Sequence, residues 1–154
     1  MRISISSTFN LSIEKTWSNL LKSSLMIFIC KPIQKFICLE PKAFPKLWTE
    51  GDYLVRIISL GLDIGEHHLK IEIPKQKNND YFSIRDNGYG KLVKKWDHWV
   101  FLKRIDENHT RYTDQIDIES GIFTPIAWLY AFVLYSWRQN KWKHLIQSNF
   151  KEID

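Results

Sequence analysis

The alternation of apolar and polar side chains predicts that the chain begins with a β-strand over residues 2–10. Ile3 and Phe9 belong to its apolar face, and polar residues occupy the other face. Ser12 follows as a candidate N-cap. From Ile13 onward, apolar residues recur at helical spacing, so a short amphipathic helix is predicted there.

The middle of the chain reads as a series of strands. A preceding apolar segment, residues 25–39, is interrupted by Pro32, and its pattern leaves its secondary structure ambiguous. Five strand-like segments then follow, over residues 53–60, 66–73, 81–86, 91–104 and 110–118. Their predicted turns are residues 61–65, the polar loop 74–80, the Asn87-Gly88 hairpin and residues 106–109. Strands joined by such short connections are antiparallel.

The pattern changes to a helical one near the C-terminus. Ser120 is a candidate N-cap, and one long helix is predicted over residues 122–150. Its first half, through Trp137, is apolar nearly all round, which predicts that it is enclosed on more than one side. A curved antiparallel sheet with one apolar face must be covered, and only this helix is long enough. The expected architecture is an α+β domain over residues 1–154, in which a cleft separates sheet and helix.

Composition supports a folded chain with an unusual number of rings. The 154 residues are 44% hydrophobic and 25% charged, which excludes intrinsic disorder. Seven Trp, six Tyr and nine Phe predict either a thick core or a cavity walled by aromatic side chains.

The charge and the cysteines exclude several classes of partner. The net charge is +5, but the lysines are dispersed along the chain, whereas a nucleic-acid binder gathers them on one face. Cys30 and Cys38 match no zinc or redox spacing, and their apolar neighbours predict buried structural roles. No nucleic acid, metal or cofactor is therefore expected.

The sequence pattern shows no signal peptide and no membrane span. Residues 2–10 alternate in polarity and form no apolar signal-peptide core. The most hydrophobic stretch, residues 122–137, is shorter than the roughly 20 residues of a membrane span. We therefore expect a cytoplasmic protein without stable membrane insertion.

Several local motifs, taken in order, resemble one group of small proteins of the START-like, or polyketide-cyclase-like (SRPBCC), superfamily. The resemblance covers roughly residues 3–146 and rests on Trp48-Thr-Glu-Gly51, Asp63-Ile-Gly65, Asp86-Asn-Gly88-Tyr-Gly90, Trp96-Asp97-His98, Thr110-Arg-Tyr-Thr-Asp114, Gly121 with Thr124-Pro125, and Arg138-Gln139 with Trp142. It implies a helix-grip fold, with the curved sheet wrapped around the C-terminal helix and a hydrophobic ligand cavity between them. The superfamily includes lipid carriers, hormone receptors and cyclases, so it implies no particular reaction.

Strand alternation identifies polar side chains that point inward. Asp114 shares the apolar face of its strand with Tyr112, and Asp86 and His67 lie on the apolar faces of theirs. His98 lies on the same face of its strand as several apolar residues, but Trp99 and Phe101 lie on the other face. The pattern therefore does not decide which face of that strand points inward, and it allows a bulge. The candidate ligand-binding residues are Trp96, His98, Tyr112, Asp114, His67, Asp86, Trp128 and Arg138.

An unpaired carboxylate in an apolar cavity is costly, so Asp114 needs a partner. Arg138 on the long helix is the expected one, with His98 and Tyr112 as further donors. Three interpretations stay open. The pair holds the helix to the sheet, it orients the head group of an apolar ligand, or His98, Asp114 and Arg138 are catalytic residues that transfer protons.

These observations favour a carrier or sensor that binds a small hydrophobic molecule, lipid-like or polyketide-like. The alternative is an enzyme of the cyclase, dehydratase or hydrolase type. A third hypothesis is an interaction module, with a homodimer as one form, that uses the exposed part of the face formed by residues 122–137.

Overall fold

The computed structural model describes residues 1–76 and 78–153, and it consists of one antiparallel sheet, two short helices and a long C-terminal helix. The strands are β1 (Arg2–Phe9), β2 (Gln34–Glu40), β3 (Gly51–Ser59), β4 (Leu62–Glu72), β5 (Tyr81–Gly90), β6 (Lys95–Arg104) and β7 (Thr110–Glu119). The helices are α1 (Ile13–Leu20), α2 (Ser23–Cys30) and α3 (Thr124–Gln147), and a 3₁₀ turn, Gly121–Phe123, precedes α3.

The strands form a single sheet in the order β1-β7-β6-β5-β4-β3-β2, and every neighbouring pair is antiparallel. Strands β1 and β2 follow each other in the chain but lie at opposite edges of the sheet, because β1 pairs with β7 and not with β2. Helix α3 packs on β1, β7 and α2. The predicted helix-grip fold is confirmed.

Local sequence signals explain where the first helices begin and end. The Ser12 hydroxyl accepts a hydrogen bond from the Lys15 N–H (3.4 Å), which confirms the predicted N-cap of α1. The segment whose pattern was ambiguous divides at Pro32 into α2 and β2. Proline cannot continue a helix, so α2 ends before Pro32, and strand β2 begins after it at Gln34.

Two predicted turns are wrong. Asn87 and Gly88 lie within β5, where they pair with Asp97 and Trp96 of β6, and the chain reverses beyond Gly90 instead. The sequence signal of an Asn-Gly hairpin yields to continuous pairing along the longer strand. The earlier turn is also tighter than predicted, because β4 begins at Leu62.

Strand β6 pairs without interruption with both β5 and β7, so it contains no bulge of the kind that the sequence pattern allowed. Its side chains therefore alternate regularly between the two faces of the sheet. His98 and Val100 point to the concave side and are buried. Trp99 and Phe101 stack on the convex side, with ring centroids 5.5 Å apart. Aromatic side chains on both faces are what made the strand's pattern ambiguous.

Helix α3 is enclosed only along part of its length. Trp142 and Leu145 in its second half are fully buried, and Trp142 stacks on Phe9 of β1 at a centroid distance of 5.3 Å. In the first half, Ile126 and Leu129 are 69% and 58% exposed. The prediction that this half is enclosed on more than one side is therefore wrong, because the sheet covers one side of the helix and no other element covers the opposite side within the described residues.

Both cysteines are free. Cys30 is fully buried, as predicted, in the core beneath α3. Cys38 is only half-buried, because it lies on the edge strand β2, and its thiol donates to the Pro41 carbonyl oxygen (3.0 Å).

Candidate functional site

A cavity of about 430 Å³ lies between the concave face of the sheet and helices α2 and α3. Its wall is predominantly apolar, and the side chains come from several elements. They include Leu25, Ile29, Trp48, Ile57, Ile71 and Ile84. Aliphatic residues on alternate strand positions point to the same side of a sheet, so the strand pattern itself builds this wall.

The cavity has an apolar entrance. Leu62, Leu92, Phe123 and Ile126 line the cavity and are also largely exposed, so they belong both to its wall and to the molecular surface. These residues come from the start of β4, the β5–β6 connection, the 3₁₀ turn and the start of α3. They form a largely apolar path from solvent into the cavity.

Five of the eight predicted ligand-binding residues lie in the cavity wall. They are His67, Asp86, Trp96, His98 and Arg138. Four of them are contributed by the neighbouring strands β4, β5 and β6, and Arg138 comes from α3 above. They give the otherwise apolar cavity a polar region.

The other three predicted residues lie outside the wall as described. Tyr112 is buried in the core and stacks on Phe9, with ring centroids 4.9 Å apart. Asp114 is fully buried behind His98. Trp128 lies over β1, where its indole N–H donates to the Arg2 carbonyl oxygen (3.0 Å). Periodicity predicted that these residues are inward-facing or helical, but it does not distinguish core from cavity wall.

Asp114 is the centre of a buried hydrogen-bond cluster. His98 Nε2 lies 2.7 Å from Asp114 Oδ1, and the Tyr112 hydroxyl donates to the same oxygen (3.3 Å). Gln139 donates from Nε2 to Asp114 Oδ2 (2.9 Å). Because a carboxylate only accepts, the imidazole presents its Nε2 proton to Asp114, which leaves Nδ1 as the acceptor.

The expected ion pair between Arg138 and Asp114 is wrong. Among the described residues, Gln139 and not Arg138 joins the helix to Asp114, and Gln139 also receives a hydrogen bond from Ser7 on β1 (2.7 Å). Successive helical residues point about 100° apart, so only one of the two can face Asp114. Gln139 was within the family-like motif, but nothing in the pattern favoured a neutral amide over the adjacent cation.

Arg138 instead lies over the Tyr135 ring, with Cζ 4.6 Å from the ring centroid. Its side chain makes no ion pair or hydrogen bond to any described residue, and its Nε is buried without a partner among them. Burial lowers the pKa of Arg138, but the electrostatic effects of Cys30, Tyr135 and Asp114 outweigh this and raise it above its ordinary value. The guanidinium therefore remains charged.

Burial changes the protonation of the other polar groups in the wall. It lowers the pKa of His67 to about 4, with help from neighbouring His68, and it lowers the pKa of His98 despite the opposing effect of Asp114. Both histidines are therefore neutral near pH 7. Burial raises the pKa of Asp86 to about 7, although the Lys70 N–H and Arg138 favour its ionised form.

Tyr135 is an aromatic member of the site that is not among the predicted ligand-binding residues. It lines the cavity, accepts a hydrogen bond from the Trp96 indole N–H (3.1 Å), and packs against the His98 ring at a centroid distance of 4.6 Å. Tyr130 also lines the cavity and accepts a hydrogen bond from the Ser59 hydroxyl (2.7 Å). Phe132 on the same helix is 44% exposed, so the aromatic residues of α3 are divided between the cavity and the outer surface.

The described residues contain neither a metal-binding cluster nor a membrane-spanning helix. In residues 1–76 and 78–153, no three His, Cys, Asp or Glu side chains gather in a way that could hold a metal ion. Across the same residues, none of the helices combines the length and the apolar character needed to cross a membrane.

Comparisons with known proteins show a similar fold at low sequence identity. A START superfamily protein from Mycobacterium smegmatis is 10% identical and aligns over 96% of this chain and 97% of its own, with a TM-score of 0.66. A conserved protein from Geobacillus kaustophilus is 20% identical, with 96% of each chain covered and a TM-score of 0.63. The Zhui aromatase/cyclase from a Streptomyces species is 11% identical, covers 98% of this chain and 93% of its own, and has a TM-score of 0.60.

No protein-family model matches the sequence, and no curated protein matches it. The structural matches nevertheless span almost the full length of both partners. The chain is therefore a small domain with the START-like, or SRPBCC-like, fold that the sequence motifs predicted. Proteins of this fold differ in activity, so these similarities show the fold alone.

Proposed function

We propose that this protein binds a small hydrophobic molecule, lipid-like or polyketide-like, and acts as its carrier or sensor. The observation that carries the proposal is the cavity of about 430 Å³ between the sheet and α3, with its apolar wall and apolar entrance. Ligand cavities commonly occupy about 300–1,000 Å³ and combine an apolar wall with a few polar groups.

The arrangement of the wall supports binding over a purely structural role for these residues. A core without a function is normally packed to the density of an organic crystal. Here Ile57 and Ile84 face open space in the cavity. An apolar ligand that fills this space removes their surface from water, which contributes about 25 cal/mol per Å² buried.

The test is binding of a neutral apolar fluorophore, N-phenyl-1-naphthylamine, combined with native mass spectrometry of the purified protein. We expect saturable fluorescence enhancement and a mass increase that matches a bound apolar compound. Ile57→Phe places a larger side chain in the cavity and should weaken fluorophore binding at least about tenfold, since one well-packed ring is a steric obstacle to any occupant.

Ile58→Phe is the matched control, because it makes the same change one residue along β3 on the opposite face. It should bind the fluorophore as the wild type does. Equal binding by both variants, or no saturable binding by the wild type, would contradict the proposal.

An enzyme of the cyclase, dehydratase or hydrolase type is the second candidate. The observation that favours it is the neutral His98 in the cavity wall, with its imidazole oriented by the buried Asp114. A base held by a carboxylate in an apolar pocket is a common arrangement for proton transfer. Among the structural matches, the Zhui protein is described as an aromatase/cyclase.

This second candidate predicts turnover of polyketide-like substrates, measured by mass spectrometry of the products. Asp114→Asn should abolish that turnover, because the amide cannot orient the imidazole in the same protonation state. The variant should still bind N-phenyl-1-naphthylamine, which separates loss of chemistry from loss of the cavity. Unchanged turnover in Asp114→Asn would exclude the proposed catalytic role.

A further inference from the structure

Arg138 is a buried cation whose hydrogen-bonding groups have no acceptor among the described residues. The residue is 9% exposed, its Nε lacks a partner, and its whole side chain makes no hydrogen bond or ion pair to any of them. A buried charge is normally paired, because removing it from water costs several kcal/mol. The exception calls for an acceptor that the described part of the chain does not supply.

The neighbouring acidic groups are engaged elsewhere. Asp114 accepts hydrogen bonds from His98, Tyr112 and Gln139, which occupy both of its oxygens. Asp86 accepts from the Lys70 N–H (2.9 Å). Asp114 favours the charge on Arg138 through space, and Arg138 favours the ionised form of Asp86, but neither carboxyl group makes a hydrogen bond or ion pair to Arg138.

The donors of the guanidinium are available to a ligand. Arg138 Cζ lies 4.6 Å from the centroid of the Tyr135 ring, and the side chain lines the cavity with His98 and Asp86. Its five N–H groups have no acceptor among the described residues. The cavity wall, which is mostly apolar, thus carries a set of unpaired donors at Arg138.

We propose that the ligand is an amphiphilic monoanion, and that its carboxylate pairs with Arg138 while its apolar body fills the rest of the cavity. A planar two-oxygen acceptor matches the guanidinium fork. A single negative charge suits the site better than a phosphate, because Arg138 is the one buried cation of the wall without an ion pair among the described residues. Of the other two cations in the wall, Arg85 is paired with Asp97 and Glu72, and Lys91 is exposed. This inference rests on the proposed binding function and names the class of molecule bound.

The test compares decanoate with decan-1-ol, which have the same chain length but differ in charge. Each competes against N-phenyl-1-naphthylamine, which is neutral and so does not itself require Arg138. In the Arg138→Gln variant, we expect decanoate to lose about tenfold to a hundredfold in affinity, as removal of a charge-assisted hydrogen bond predicts. Affinity for decan-1-ol should change less than about threefold, because the apolar wall is intact.

Arg111→Gln is the matched control, since it removes the same charge from an exposed position on β7. It should leave both affinities unchanged. Arg138→Lys should retain part of the preference for decanoate, because it keeps the charge without the planar fork.

A second readout separates ion pairing from a merely structural role. Decanoate labelled with ¹³C at the carboxyl carbon is titrated in complex by NMR. In the wild type, we expect the carboxyl pKa of bound decanoate to lie below that of free decanoate, because Arg138 favours the anion. In Arg138→Gln, burial without the cation should raise it above the free value.

The outcomes distinguish the inference from the function on which it rests. If the fluorophore and decan-1-ol bind but Arg138→Gln weakens both competitors equally, the cavity function stands and the anionic ligand class is wrong. If the bound carboxyl titrates identically in wild type and Arg138→Gln, the ion pair is absent and the inference fails. If no probe binds the wild type, both are overturned.

Discussion

At the scale of single residues, two neighbours on α3 have different tasks. Gln139 satisfies the buried Asp114 and contacts β1, whereas Arg138 turns toward the cavity and stacks on Tyr135. Asp114 thus helps hold the helix to the sheet through Gln139, and not through Arg138. That Arg138 orients a ligand is a proposal.

Gln139→Leu should destabilise the protein by about 2–4 kcal/mol, because it removes the donor to Asp114 Oδ2 and to the Ile5 carbonyl oxygen. Chemical denaturation monitored by Trp fluorescence measures the change. Gln115→Leu is the control, since Gln115 is half-buried on the outward side of β7. A similar small effect for both variants would show that the Gln139 hydrogen bonds contribute little.

Asp86 should make stability depend on pH. Its pKa is raised from 3.8 to about 7 in the folded protein, so the folded state binds the proton more tightly than the unfolded state. This group therefore stabilises the fold in acid, and its contribution is lost as the pH rises from about 4 to 7. The burial of neutral His67, with a pKa of about 4, acts in the opposite direction over an overlapping range.

We expect Asp86→Asn to be more stable than the wild type at about pH 8, by about 1–2 kcal/mol after allowance for partial solvation. The difference should vanish near about pH 4, where Asp86 is protonated. Because His67 is present in both proteins, the difference between their denaturation curves isolates Asp86. A difference that is constant with pH would contradict the raised pKa.

At the scale of elements, the His67 side chain on β4 requires glycine at two positions of the neighbouring strand β5. A Cβ atom on Gly88 would lie 2.8 Å from His67 Nε2, and one on Gly90 would lie 2.6 Å from His67 Nδ1. These glycines are not turn residues, since the strand pairs through Gly88 with Trp96. They make room for the His67 ring on the neighbouring strand β4, and this places the imidazole in the cavity wall.

Gly88→Ala should cost about 1–3 kcal/mol, because the added methyl group clashes with His67. Combining it with His67→Ala should restore most of that loss, which a double-mutant cycle of unfolding free energies would measure. Gly51→Ala is the control on β3, where the nearest atom to the new methyl group is 3.7 Å away. Additive costs in the double variant would show that His67 is not the obstacle.

At the scale of the whole molecule, the fold separates a tight core from an open region. Phe9, Tyr112 and Trp142 stack together at one end of the sheet. The cavity lies away from this cluster. Exposed apolar residues such as Ile126 of α3 and Leu62 at the start of β4 line it. Stability therefore comes from one part of the protein, and the other part retains space for a ligand.

Ligand binding should raise the stability of the whole domain, because only the folded state has the cavity. N-phenyl-1-naphthylamine at about one hundred times its Kd should increase the free energy of unfolding by about 2.7 kcal/mol. A thermal shift series over ligand concentration measures this increase. The gain should disappear in Ile57→Phe but persist in Ile58→Phe, and a gain that is equal in both would place the ligand outside the cavity.

The amino-acid sequence by itself determined β1, α1, the antiparallel meander after residue 50, the long C-terminal helix and the inward positions of His67, Asp86 and Asp114. These depend on periodicity and on short-range signals such as Ser12, which act between residues close in the chain. The division of residues 25–39 between α2 and β2 is not determined by the pattern. The resemblance of the motifs to START-like proteins also implied the helix-grip fold.

Only the tertiary structure decided which inward residues line open space and which are packed. Asp114 and Arg138 have the same predicted direction, but their partners depend on how α3 is rotated over β1 and β7, which is a property of long-range packing. The exposure of Ile126 and the pairing of Gly88 within β5 also depend on contacts between distant segments. Periodicity reports the face on which a side chain lies, whereas the elements packed across from that face determine what it meets.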